Sequence, residues 1–143
     1  MNNNFYDIPE NWYKEFNDTF YSNNMTSNQL ATINLALDRG NLFNNLYDPY
    51  KNYKYNNLTA TNKREELLLN VLRYDFVLTE LNLYLDIYPK DRNMINLYNQ
   101  YLEEKKRACF EYTKNFGPLT LDDQSNNNSW SWLQSPWPWE GTK

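Results

Sequence analysis

"YDFVLTELNLYLDIYPKD", residues 74–91, decides the fold. Its apolar residues fall on a helical stripe, a proline closes the run, and an aspartate follows that can open a second helix. Extended in both directions, the stripe reads Leu67, Val71, Tyr74, Leu78, Leu81, Leu85 and Tyr88, at spacings of 4, 3, 4, 3, 4 and 3. That 3.5-residue repeat is the seam of one helix against another. Asn62, three positions before Glu65, supplies a start, and Pro89 supplies the stop. Beyond Asp91, residues Met94, Tyr98, Tyr101, Ala108 and Tyr112 keep the repeat, with Lys105 as its one polar break, until Gly117 and Pro118 end it. Two helices of about 27 and 24 residues would span roughly 40 and 36 Å. The "YPKD" connection is too short for anything but an antiparallel return. Residues 61–118 are therefore predicted to form a long αα-hairpin.

The first of these helices carries a second apolar set: Leu68, Leu72, Phe76, Leu83 and Ile87. A helix apolar on more than one side must bury more than one side. A lone hairpin cannot do that, so either a preceding helix packs on it or another chain does. Upstream, "TSNQ" from Thr26 resembles a capping box, and Leu30, Ile33 and Leu37 lead at helical spacing to Gly40. This predicts a short helix over about 27–39. Trp12, Phe16 and Phe20, at i, i+4 and i+8, could add an amphipathic turn or two before it. The expected fold is all-α: a long antiparallel hairpin, a short preceding helix, and extended or irregular terminal segments. The expected organisation is an aromatic-rich segment over 1–60, the hairpin over 61–118, and a linker and tail over 119–143.

Composition limits the function. There is no histidine and one cysteine, which excludes His-based triads, His-ligated zinc and an intramolecular disulfide. Net charge is −4 without any basic stripe, which argues against nucleic acid. "MNNNFYDIPENWY" lacks the basic start and apolar centre of a signal peptide, and no run approaches a spanning helix. Synthesis in a cytosol and no membrane partner are expected. There is no glycine-rich phosphate loop. Glu65, Glu66, Asp75, Glu80 and Asp86 lie along one helix and could hold a hard metal or exchange protons. The competing reading makes them solvated or structural acids that fix helix register. Cys109 reads as a small buried hydrophobe, or as a thiol activated by Lys105, Lys106 and Arg107. No active site emerges, and no cofactor is expected.

What remains is aromatic. Four of the five tryptophans fall in the last fourteen residues, in "SWSW" (129–132) and "SPWPWE" (135–140), after the polar stretch "DDQSNNNS". Tyrosines and tryptophans at such density supply binding hot spots, and prolines pre-extend a segment for docking. The candidate docking residues are Trp130, Trp132, Pro136, Trp137, Pro138 and Trp139 in the tail, with Phe43, Tyr47 and Tyr50 upstream. The candidate self-association stripe is Leu67, Val71, Tyr74, Leu78, Leu81 and Leu85, with Tyr98 and Tyr101. The bland alternative folds Trp137 and Trp139 back over the hairpin.

The 74–91 stretch, "NFGPLT" (115–120) and "PWPWE" (136–140) together resemble the CotJB family of endospore coat proteins. Upstream, "LDRGNLFNNLYDPYKNY" (37–53) is similar to the closing motif of CotJA-type coat proteins. The resemblance implies a non-enzymatic coat component, made in the mother cell and deposited on the spore. It further implies assembly with other coat proteins, among them a manganese-catalase-like one. Self-association through the hairpin into a homo-oligomer is expected beside these partners. The alternative function is a carboxylate metal-binding accessory to that catalase-like enzyme.

Overall fold

The computed structural model describes residues 29–123 together with Trp130 and Trp132. The chain divides into two compact units, residues 1–30 and 31–143, and nearly all the described residues belong to the second. The described part is helical, without strands: α1 (Ile33–Arg39), α2 (Lys63–Ile87) and α3 (Arg92–Phe116), with short 3-10 turns at Asn44–Leu46 and Leu121–Asp123. Trp12, Phe16, Phe20 and the Thr26 cap lie outside the described residues.

Side chains at the ends of α2 and α3 set the hairpin. Asn62 accepts the Glu65 N–H at 2.9 Å and starts α2. The Glu65 carboxylate reaches one residue further back than in a standard capping box and accepts both the N–H (2.8 Å) and the hydroxyl (2.7 Å) of Thr61. α2 stops at Ile87, two residues before Pro89. Asp91 then performs two tasks with one carboxylate. Its Oδ1 accepts the N–H groups of Asn93 (3.0 Å) and Met94 (3.2 Å), capping α3, while its Oδ2 accepts the Tyr84 hydroxyl at 2.9 Å. The start of α3 is thereby tied to the last turns of α2, and the chain must return. Gly117, at a φ of 99° that disfavours other residues, closes α3. Both helices have 25 residues, close to the expected 27 and 24.

α1 is shorter than the predicted 27–39 helix. Its cap is Thr32, whose hydroxyl accepts the Leu35 N–H at 3.3 Å. Just upstream, the Ala31 N–H bonds the Leu42 carbonyl at 2.8 Å, so Ala31 lies beside the returning chain and the helix begins only after Thr32. Gly40 ends the helix in the left-handed conformation, as expected, and its N–H donates to Ala36 and Leu37.

α2 is the central element, packed against α3 on one flank and α1 on the other. Near the open end of the hairpin, buried Val71, Ala108 and Tyr112 gather Leu67, Leu68, Tyr74, Cys109 and Leu119. Nearer the turn, Val77, Leu78, Leu81 and Tyr84 of α2 and Met94 of α3 are buried, as are Ala36, Leu42 and Phe43 of the α1 segment. Val77 and Tyr84 are off the predicted stripe. They are covered because the α1 segment closes a second flank, where the Phe43 ring stacks on Tyr84 with centroids 5.3 Å apart. Residues 31–60 thus share one compact unit with the hairpin.

Candidate docking surfaces

The stripe predicted for self-association is used inside the chain. Val71, Leu78 and Leu81 are buried, and Leu67, Tyr74, Leu85, Tyr98 and Tyr101 are half-buried. Tyr74 and Tyr101 meet across the hairpin with ring centroids 6.0 Å apart. Burial raises both phenol pKa values; Glu104 adds to the effect at Tyr74, and Tyr74 adds to it at Tyr101. Lys105, the polar break of the α3 stripe, forms an ion pair with Asp75 of α2 across the seam.

The second apolar set of α2 divides, with Leu68 packed against the internal cluster and the others turned outward. Leu72, Leu83 and Ile87 are exposed, Leu83 at 56%, and Phe76 is half-buried. These side chains line one outer face of α2, because α1 takes the flank of Val77 and Tyr84 and leaves this one open. Of the two covers weighed from sequence, the preceding segment takes one face of the helix, and this face stays exposed.

The predicted upstream docking residues separate in the same way. Phe43 is 5% exposed and packed on Tyr84, which makes it a core residue rather than a presented one. Tyr47 is half-buried beneath the Arg39 guanidinium, 4.7 Å from its ring centroid. Tyr50 is presented, at 88% exposure. In the tail, Trp130 is exposed and Trp132 is half-buried with an interaction of its own. Pro136, Trp137, Pro138 and Trp139 lie outside the described residues.

Three acids of α2 make structural contacts. Asp75 holds Lys105, and a Glu80 oxygen accepts the Leu42 N–H at 3.3 Å, fixing the loop after α1. The hydrogen bonds from Thr61 hold the Glu65 carboxyl below the usual carboxylate range. Among the described residues, no three His, Cys, Asp or Glu side chains are grouped to hold a metal ion. Burial raises the Cys109 pKa; Lys105 opposes the shift, while Asp123 and Asp75 add to it. That favours a thiol with hydrophobe character over an activated one. No described helix is long and apolar enough to cross a membrane.

Beside Cys109 an open groove of about 790 Å³ runs between α3 and the chain that follows it. Sequence reasoning missed this groove. Its signal was Leu119 after the Gly-Pro stop, an apolar residue that brings the chain back onto the hairpin.

These features define a class: a helical hairpin with a complete internal seam, an unspent apolar face and presented aromatic rings. The chain belongs to the CotJB protein family, whose model matches residues 65–140, more than half its length. That makes it a spore coat protein. The match begins beyond residues 37–53, so it does not cover the CotJA-like segment. No curated protein and no solved structure matches the chain.

Proposed function

We propose that the chain is a non-enzymatic assembly component of the spore coat, in which the hairpin is a rigid platform and aromatic segments dock partner coat proteins. One observation carries this reading. The seam is complete within the chain, yet Leu72, Leu83, Ile87, Tyr50 and Trp130 remain exposed. Large apolar side chains left in water in this way mark interaction surfaces. Self-association is assigned to the outer face of α2, through Leu72, Phe76, Leu83 and Ile87, because the inner stripe is occupied. Docking is assigned to Tyr50 and to the tail, Trp130, Trp132 and Trp137, Trp139 with their flanking prolines. The partner set includes a manganese-catalase-like coat protein, the setting is the mother cell that builds the coat, and residues 37–53 serve as a CotJA-like part of the same chain. The metal-binding alternative draws no support from Asp75 and Glu80, whose carboxylates are engaged with Lys105 and Leu42.

The test is direct binding between the purified chain and the purified catalase-like coat protein by calorimetry. Full-length protein should bind, and removal of residues 129–143 should weaken binding by at least about tenfold, the scale of losing one or more aromatic hot spots. No binding would remove this partner, and equal binding by the truncated chain would remove the tail as the docking segment.

A further inference from the structure

We propose that the groove beside α3 is the seat of the chain's own Pro-Trp segment, residues 135–139. This goes beyond the coat reading and does not depend on it.

The groove suits such an occupant in size and chemistry. Its volume, about 790 Å³, lies within the range of about 300–1,000 Å³ typical of pockets that take a small compact ligand. One wall is α3, where Phe110 stands 64% exposed, an unusual position for a phenylalanine beside a cavity unless something covers it. Cys109 lines it from the core side, and Pro118 and Asp123 come from the opposite wall. A tryptophan ring seated here would cover the exposed Phe110. Lys114, on the rim, makes no ion pair among the described residues, while Lys106 is paired only with its neighbour Glu103. Ammonium groups at the rim favour ring faces and a carboxylate, and "PWPWE" places Glu140 immediately after Trp139.

Connectivity selects the chain's own tail over that of a second copy. Asp123 forms part of the groove wall, and Ser135 follows it by twelve residues. Twelve residues span at most roughly 40 Å, ample for a return to a wall the chain has just left. A tether of that length presents its end at a local concentration in the millimolar range, well above the concentration of any other copy in dilute solution. A seated tail is withheld from other partners, so a docking protein would meet only the released fraction.

Cys109, the only cysteine, reports occupancy of the groove it lines. The experiment follows thiol modification by an aromatic disulfide reagent in the full-length chain, in a chain lacking residues 133–143, and in a full-length Trp137→Ala/Trp139→Ala variant. Far-UV circular dichroism checks that the helices persist. Both altered chains should react at least about tenfold faster, at rates independent of protein concentration, and a synthetic 133–143 peptide should restore protection to the truncated chain. Equal rates in all three, or a peptide that gives no protection, would show the groove empty. Protection that grows with protein concentration would place the tail of a second copy there and overturn the assignment.

Discussion

Leu81 and Leu83 stand two residues apart on α2, and their environments are opposite. Leu81 is fully buried and Leu83 is 56% exposed. Truncation of each to alanine compares the internal seam with the outer face. At Leu81, three lost carbon groups at about 0.8 kcal/mol each remove about 2.4 kcal/mol of transfer energy, and the cavity left behind brings the cost to about 3–4 kcal/mol. At Leu83 less than half of that area is withdrawn from water, and alanine is the better helix former by a few tenths of a kcal/mol, so the cost is under about 1 kcal/mol. A unit of this size is stable by on the order of 5–10 kcal/mol, so Leu81→Ala should remove roughly a third to four-fifths of it. Urea unfolding followed by circular dichroism at low protein concentration measures both. Equal losses, or a larger loss for Leu83→Ala, would refute the assignment of seam and outer face. Repeating the measurement at high concentration probes self-association: only there should Leu83→Ala become costly, because binding to another copy stabilises the folded state by mass action.

Tyr112→Phe should cost about 1–2 kcal/mol, because it removes the acceptor of the Arg64 Nε–H at 3.1 Å, while Arg64 keeps a further interaction. Thermal unfolding of the single variants and of a double variant with Arg64→Met measures the coupling. Asp91→Ala should cost about 2–3 kcal/mol, because one carboxylate both caps α3 and holds the Tyr84 hydroxyl. The lowered pKa of Glu65 means that its contribution is present above the unfolded value, near 4.5, and is lost as pH falls through the folded value. Glu65→Gln should flatten the decline of melting temperature in that acid window. Tyr74 and Tyr101, with raised pKa values, act in the opposite direction: their contribution is full below about pH 10 and disappears as pH rises through the folded values. Replacing both with phenylalanine should remove that alkaline loss.

The hairpin was legible because each of its determinants is local. A 3.5-residue stripe, Asn62, Pro89, Asp91 and Gly117 each act within a few residues of where they stand, and the structure uses all of them. Lys105 broke the stripe in sequence, and its partner Asp75, thirty residues earlier, could not be paired with it by periodicity alone. The burial of Val77, Tyr84 and Phe43 was not legible for the same reason. It depends on the α1 segment returning to α2, a contact fixed by the Leu42 N–H on Glu80 and the Ala31–Leu42 bond. Phe43 and Tyr50 look alike in an aromatic-rich loop, and only tertiary packing separates a core ring from a presented one. The outer face of α2 was visible as an apolar excess, but the excess alone did not tell which part α1 would cover.

The central proposal is that the tail tryptophans dock this chain in the coat. The most direct measurement is the amount of chain in the coat fraction of mature spores, relative to its total cellular amount, for the natural chain and for one with Trp130, Trp132, Trp137 and Trp139 all changed to alanine. With cellular level and helicity unchanged, the variant should fall in the coat fraction by at least about tenfold. Incorporation at the natural level would contradict the account.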